Sequence, residues 1–319
     1  LYFAFSYISF MLIFTLPMAL GVTMMGNISV SKLISLWFRK YTGRALGIAS
    51  VGVSFAGFVF PNLTSFLLGD LGLTWREAYL LFGVLIILIN IPVVYLFIVN
   101  KPSDINQMPD GEEITDNAED TSGIDWTIPE LLKDRNFWIL SLVFAIQFCS
   151  MMGILSHLTF FSEGAGWSLS WGAFIFSMYA WPAMFSKVFF GWLVENKMDA
   201  RVAVSVAILI QAIATLLMIF VESPEQMVVL VMIFGFGGGS ALPLSNILFN
   251  QAYTNKSFGK ARGAAQPFIS IFQISGTLVA ARMFDVFGNY ELAFLTLGFI
   301  LIVPIIAIWF MKIESKLAS

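Results

Sequence analysis

The sequence has little charge, one cysteine and one histidine among its 319 residues. Only 12% of the residues are charged, whereas soluble globular domains carry about a quarter, so a water-soluble enzyme domain is excluded. The single cysteine, Cys149, excludes an internal disulfide and a cysteine-based metal site. One histidine cannot form a metal site either. A net charge of −3 does not indicate the basic surface that nucleic-acid-binding proteins carry.

Hydrophobic residues make up 58% of the chain, with 33 Phe and 9 Trp, and the mean hydropathy is +0.85. A single core surrounded by water could not hide that much apolar and aromatic surface. The composition therefore predicts an all-α polytopic membrane protein that lies in the lipid bilayer.

No cofactor and no enzymatic activity are predicted. The glycine run at 235–239 lies inside an apolar segment and lacks the following Lys-Ser/Thr pair of a phosphate-binding loop, which favours close helix packing or a flexing point instead. The apolar segments also hold neither paired carboxylates nor a histidine-rich metal set.

A helix that crosses a bilayer needs about 20 apolar residues, and charged or Pro/Gly-rich breaks divide the chain into about ten such segments. They cover residues 1–15 (partial), 16–38, 45–68, 75–99, 136–161, 169–194, 202–221, 226–249, 263–284 and 291–311. The connector at 100–135 is polar and acidic and contains three prolines. We expect a disordered linker between an N-terminal bundle (1–99) and a C-terminal bundle (136–319).

Basic residues predict the orientation, because Lys and Arg are retained on the cytoplasmic side of a membrane. They concentrate on alternate connectors, while the other set of connectors has only Arg76 and Arg282. This places the linker and the C-terminus in the cytoplasm, and we expect the cell (inner) membrane. Lys32 and Lys187 fall within spans.

Two short stretches repeat in the two predicted bundles: residues 78–83 read AYLLFG and residues 293–298 read AFLTLG. Both copies run the same way through the membrane, which is typical of the parallel repeats of two-bundle transporters with a binding site near the midplane. Six spans follow the linker and four precede it. Since the chain begins at Leu1 inside an apolar run, we expect an N-terminally truncated protein with about ten of twelve helices.

Four short stretches carry recognisable motifs. Residues 37–47 read WFRKYTGRALG, residues 191–196 read GWLVEN, residues 259–263 read GKARG and residues 284–290 read FDVFGNY. They resemble the loop motifs and eleventh-helix flanks of the major facilitator superfamily, and the last two are most similar to those of the monocarboxylate and oxalate/formate porters. The resemblance implies helices three to twelve of a two-bundle transporter. It assigns gating and cytoplasmic loop roles to Arg39, Arg44, Gly191, Glu195 and Arg262.

Lys187 occupies the position where these porters commonly carry an arginine, and Ala183 the position where some carry an aspartate. A lysine near a helix centre costs about 2.5 to 3.5 kcal/mol, so it normally faces a wet cavity or a partner. Lys187 is therefore a candidate for binding a substrate carboxylate. The alternatives are a lysine that snorkels to the cytoplasmic interface or braces the gating loop.

Other polar residues within spans are weaker candidates for the same site. Lys32 lies on a predicted helix on which Asn27 and Ser31, one turn apart, extend a polar stripe. Lys32 is also close enough to the interface to snorkel. Tyr179 and Asn246 lie in helices that line the cavity in this family. Each polar group has the alternative role of bonding a neighbouring helix.

Two features lie towards the outer side. His157 is a candidate proton carrier because its unperturbed pKa is about 6.5; the alternative is an imidazole bonded to backbone or water. Arg282 and Asp285 lie three residues apart, can pair on one helix face, and are candidates for an outer gate.

These features predict a secondary active transporter that moves a small, monocarboxylate-like organic anion by alternating access, as a proton symporter or an anion exchanger. Two lysines within spans, without a carboxylate there, favour an anionic substrate. The alternatives are a facilitator of neutral solutes or sugars, or a sensor on the same fold that does not transport.

Overall fold

The computed structural model describes residues 6–26, 30, 33–34, 36–38, 42–105, 107–111, 125–196 and 198–312. Secondary structure in this part of the chain is helical. The helices are α1 (Tyr7–Ile13), α2 (Ala19–Met25), α3 (Thr42–Ser65), α4 (Trp75–Phe97), α5 (Ile128–Lys133), α6 (Arg135–Leu155), α7 (Leu158–Gly164), α8 (Leu169–Glu195), α9 (Ala200–Leu217), α10 (Pro224–Gly239), α11 (Ala241–Phe287), α12 (Glu291–Phe299) and α13 (Ile302–Ala307).

Eight helical segments of the described chain are long and apolar enough to cross a membrane. They are Gly47–Asp70, Trp75–Phe97, Arg135–Gly164, Leu169–Val194, Ala200–Phe220, Pro224–Tyr253, Ser257–Phe287 and Glu291–Phe310. Each corresponds to one of the spans predicted from residue 45 onwards. The predicted all-α membrane fold is therefore confirmed.

The predicted boundary between the first two spans, at residues 15 and 16, is wrong. A π turn at Phe14–Met18 joins α1 to α2 without a break, and the apolar run there covers Tyr7–Val22. Pro17 lies inside the π turn. Proline lacks a backbone N–H and normally interrupts an α-helix, but the wider turn accommodates it, so the chain stays helical.

The chain divides into two compact units. The first comprises Leu1–Ala49 and Leu63–Ala118, and the second comprises Ser50–Asn62 and Glu119–Ser319. The second unit therefore contains α5 to α13 and the middle of α3. Its core consists of two clusters of buried hydrophobic residues, which include Phe144 and Phe249 in one and Phe234 and Phe294 in the other.

Glycines bring helices of the second unit into backbone contact. A Cβ atom placed on Gly276 of α11 would overlap the carbonyl oxygen of Cys149 on α6, and one on Gly235 of α10 would overlap the carbonyl oxygen of Tyr179 on α8. Small residues at helix contacts allow such close approach in membranes. The packing role predicted for the 235–239 run is confirmed.

The long helix α11 folds back on itself. Residues 16 positions apart lie about 24 Å apart along a straight helix, yet the Nε atom of Arg262 donates to the Oδ1 atom of Asn246 at 3.3 Å. The Arg262 guanidinium also lies 5.5 Å from the centre of the Phe249 ring. The chain therefore reverses between these residues, so α11 belongs to two consecutive spans.

Part of the predicted linker is ordered, contrary to the expectation of a disordered connector. Glu130 accepts hydrogen bonds from the Thr127 backbone N–H and hydroxyl, both at 2.8 Å. This arrangement begins α5 as in a capping box, and it lowers the pKa of the Glu130 carboxyl, with the bond from the Thr127 backbone as the largest cause. Leu131 is fully buried in a hydrophobic cluster of the second unit, so α5 is part of that unit's core.

Residues 125–134 also dock onto the reversal of α11, between the membrane-length segments Pro224–Tyr253 and Ser257–Phe287. Three contacts join them: the Lys260 ammonium to the Asp125 carboxylate at 2.6 Å, the Trp126 N–H to the Ser257 hydroxyl at 2.8 Å, and the Tyr253 hydroxyl to the Asp134 carboxylate at 2.5 Å. The Trp126 ring meets the Tyr253 ring edge to face at 5.7 Å. We call residues 125–134 the docked segment.

Candidate functional site

The second unit holds a buried lysine. Lys187 lies on α8 and is 7% exposed. Its Nζ atom donates to the backbone carbonyl oxygen of Ser50 and to the Oγ atom of Ser54, both at 2.8 Å. Ser50 and Ser54 lie one turn apart on α3, so both bonds join α8 to α3.

Small residues bring α3 and α8 together beside this lysine. A Cβ atom on Gly57 would lie 3.3 Å from the Cβ atom of Ala180, and the rings of Phe58 and Trp181 lie 5.6 Å apart. Residue numbers rise along α3 as they fall along α8, from Lys187 to Ala180, so the two helices run antiparallel. The Gly57–Ala180 contact brings the backbones close enough for Lys187 to reach α3.

The charge of Lys187 has no carboxylate partner among the residues that the structure describes. An ammonium has three N–H donors, and the bonds to Ser50 and Ser54 use two of them, so one donor remains for a further acceptor. Both partners are neutral, so the positive charge is solvated but not neutralised. Such a charge within a membrane span favours an anion beside it.

The contacts of Lys187 bear on its predicted alternatives. A snorkelling lysine places its ammonium in the interface, whereas this ammonium is buried between α3 and α8. Its bonds go to α3 rather than to the loop at 191–196. These contacts are not those of a snorkelling lysine, and the carboxylate-binding role stays a prediction.

Several predicted site residues cannot be placed beside Lys187. Lys32, Asn27 and Arg39 lie outside the described residues, and the side chains of Arg44 and Glu195 are also outside the described part. Their predicted roles stay predictions. Gly191 lies in α8, where a Cβ atom would meet nothing within 4 Å.

The hydroxyl of Tyr179 donates to the sulfur of Met151 at 3.0 Å, and its ring packs on Phe234 at 5.7 Å. Asn246 accepts from Arg262, so two residues with different predicted roles are bonded to each other. These contacts are those of helix packing, and a substrate role for Tyr179 or Asn246 remains untested.

His157 is buried and has partners at both ring nitrogens. Nε2 lies 3.1 Å from the Thr277 carbonyl oxygen, and Nδ1 lies 3.1 Å from the Tyr290 hydroxyl. A carbonyl oxygen only accepts, so Nε2 carries the proton and, in the neutral ring, Nδ1 accepts from Tyr290. The arrangement matches the bonded-imidazole alternative, while the proton-carrier role remains a prediction.

The predicted pair of Arg282 and Asp285 is not formed. Both side chains are exposed at the end of α11, and no ion pair joins them. Their spacing permits contact, but an exposed pair gains little energy, so proximity along a helix does not hold them together.

Sequence reasoning missed Ser50 and Ser54. Serines spaced four residues apart are common in membrane helices and carry no distinctive signal. Only the register between α3 and α8 reveals that both face Lys187.

Comparison with known proteins gives the family. The Major Facilitator Superfamily model matches residues 1–221 and 172–319. The chain belongs to the major facilitator superfamily. With eight helices of membrane length in its described part, this superfamily member is an integral, multi-pass membrane protein.

Its relatives include transporters of more than one kind. Monocarboxylate transporter 13 of Bos taurus is 24% identical over 83% of this chain and 59% of its own length, and that of Rattus norvegicus is 25% identical over 83% and 58%. An MFS-type transporter of Gibberella moniliformis is 22% identical over 80% and 58%. This chain therefore spans about three-fifths of the curated relatives that it matches.

Solved structures share the fold at low identity. The E. coli fucose:proton symporter superposes with a TM-score of 0.57 and 15% identity, over 88% of this chain and 72% of the symporter. A bacterial homologue of the human lysosomal transporter Spinster gives 0.57 and 16%, over 88% and 73%. At this identity the likeness shows the architecture alone.

Proposed function

We propose that the full-length protein is a secondary active transporter that carries a small, monocarboxylate-like organic anion by alternating access. The observation that carries the proposal is the Lys187 ammonium, which is buried between α3 and α8, bonded only to neutral groups and unpaired with any described carboxylate. The monocarboxylate transporters among the relatives support the same substrate class.

A carboxylate at this position would neutralise the buried charge. The remaining N–H donor of Lys187 can form a charge-assisted hydrogen bond to a carboxylate oxygen, which is about twice as strong as a bond between neutral groups. A neutral solute would gain no such compensation. This difference selects anions over sugars and other neutral solutes.

The proposed transport cycle uses the two helices that hold the site. Helix α3 precedes the connector at 100–135 and α8 follows it, so we assign them to bundles 1–99 and 136–319, which rock about a central site. The basic residues support a cytoplasmic connector and C-terminus in the cell (inner) membrane. Lys32 and Asn27 are proposed to complete the site, and His157 to carry a proton if the transporter is a symporter.

The test is uptake by the full-length protein in proteoliposomes. The panel contains labelled lactate, pyruvate, oxalate and succinate, each measured with and without a pH gradient. Lys187→Ala should lower saturable uptake by about 10-fold or more, the loss expected for one hydrogen bond to a charged group. Lys187→Arg, which keeps the charge, should retain part of the uptake, and Lys133→Ala, which changes an exposed lysine outside the spans, should leave it unchanged.

The response to the pH gradient separates proton symport from anion exchange. If folded wild-type protein takes up none of these carboxylates, the anion proposal is wrong. A neutral-solute facilitator or a sensor on the same fold would then take its place.

A further inference from the structure

The Ser54 hydroxyl is bonded to a buried cation rather than to a carbonyl of its own helix. Serines within membrane helices usually donate to a carbonyl of their own helix. Ser156, Ser162, Ser245 and Ser275 each do so, to a carbonyl three or four residues earlier. Ser54 has no such bond among the described residues, and its recorded partner is the Lys187 ammonium, from which it accepts.

The reason lies in the carbonyl of Ser50. That carbonyl is four residues before Ser54, where an intrahelical serine bond would go. It has two lone pairs; the α-helix uses one for the backbone N–H of Ser54, and the Lys187 ammonium uses the other at 2.8 Å. The Ser54 proton therefore lacks its usual acceptor.

We propose that Ser54 is a second substrate-binding residue, whose hydroxyl donates to one oxygen of a carboxylate while Lys187 binds the other. This inference rests on the proposed function. The two donor atoms lie 2.8 Å apart, a spacing that suits the two oxygens of one carboxylate. Ser54 is 7% exposed, so its donor, like that of Lys187, lies away from bulk solvent.

The bond between the two residues strengthens both donors for an anion. Accepting from a cation polarises the Ser54 hydroxyl and makes its proton a better donor, because hydrogen bonds in a chain reinforce one another. A carboxylate offers two equivalent charged oxygens to this pair. The corresponding amide offers one uncharged oxygen and an NH₂ group that donates, so it satisfies only one of the two donors.

The first experiment measures uptake kinetics of labelled lactate, or of the panel carboxylate with the highest wild-type uptake, in full-length protein. Ser54→Ala should raise KM about 10-fold, the loss of one hydrogen bond to a charged group, and change kcat less than 3-fold. Ser54→Thr, which keeps the hydroxyl, should restore KM. Ser275→Ala controls for losing a hydroxyl elsewhere in a span.

The second experiment distinguishes direct binding from an effect transmitted through Lys187. Binding of unlabelled lactate and of lactamide is measured as ligand-dependent thermal stabilisation. Ser54→Ala should reduce the ratio of the lactamide Kd to the lactate Kd about 10-fold. A structural defect would instead weaken the binding of both ligands by the same factor. In a Lys187→Gln background, Ser54→Ala should still weaken lactate binding several-fold, which would not occur if Ser54 acted only by holding Lys187.

The outcomes separate the two proposals. If Lys187→Ala abolishes carboxylate uptake but Ser54→Ala leaves KM and the lactate preference unchanged, the Ser54 inference is wrong and the transporter proposal stands. If the wild type neither binds nor carries any panel carboxylate, both are wrong. Should Ser54→Ala fail to fold, Ser54→Cys, which replaces the hydroxyl with a weaker donor, tests the same expectation.

Discussion

The backbone contact between α6 and α11 gives a sharp prediction for Gly276→Ala. A Cβ atom at this position would lie 2.7 Å from the carbonyl carbon and 3.1 Å from the Cα atom of Cys149. These are backbone atoms, so no side-chain rotation relieves the overlap and the two helices must separate. Overpacking costs about 1 to 3 kcal/mol, and we expect about 3 kcal/mol here because the obstacle is rigid.

The matched control lies on the same helix. A Cβ atom on Gly263 would meet nothing within 4 Å, so Gly263→Ala should gain the higher helix propensity of alanine, up to about 1 kcal/mol. The two Gly→Ala changes in α11 should therefore have opposite signs. With about 2 to 4 °C per kcal/mol for a domain of this size, Gly276→Ala should lower Tm by about 6 to 12 °C.

The assay uses the single cysteine of the chain as a local probe. Cys149 is 5% exposed and lies in the contact itself, so a thiol-reactive dye labels it only when α6 and α11 separate. Full-length protein in detergent, with any cysteine outside this chain replaced by serine, is heated with the dye. If Gly276→Ala labels at the same temperature as wild type, backbone contact between these helices is not what the glycine provides.

Two further perturbations test other contacts. Tyr253→Phe removes the hydroxyl that donates to Asp134 at 2.5 Å, and losing a bond to a charged group should cost about 1.5 to 3 kcal/mol and lower Tm. The control Tyr95→Phe, at a residue that is 86% exposed, should leave Tm unchanged. Equal Tm values for the two variants would contradict the role of the docked segment. The side-chain hydrogen bond from Arg201 lowers the pKa of the Asp199 carboxyl below its usual 3.8, so the ionised carboxylate stabilises the fold fully above that unfolded-state value and loses this effect as the pH falls through the lower folded value. The Tm difference between wild type and Asp199→Asn should therefore be present at pH 7 and shrink below about pH 4. A Tm difference that stays constant with pH would refute this assignment.

The spans were predictable because the bilayer imposes a single length on apolar helices. Hydropathy alone located the eight spans from residue 45 onwards. It failed at residues 15 and 16, since a π turn accommodates Pro17 without ending the helix. It also missed the helical part of the connector, because α5 depends on the burial of Leu131 in the core of the second unit rather than on its own six residues.

The site was predictable only in part, for a related reason. Lys187 stood out because a charge inside a span is costly wherever it faces. Ser50 and Ser54 did not, since their role depends on the register between α3 and α8, which residues distant in sequence determine. The expected pairing of Arg282 with Asp285 failed because spacing along one helix brings side chains within reach but does not supply the burial that would hold them together.

The docked segment changes where the connector is anchored. By sequence, the tether between the two predicted bundles would run to the first turn of α6, at Arg135. Because residues 125–134 are bonded to Tyr253, Ser257 and Lys260, the tether instead ends at the reversal of α11. A force along the connector would therefore act on that reversal rather than on the first turn of α6.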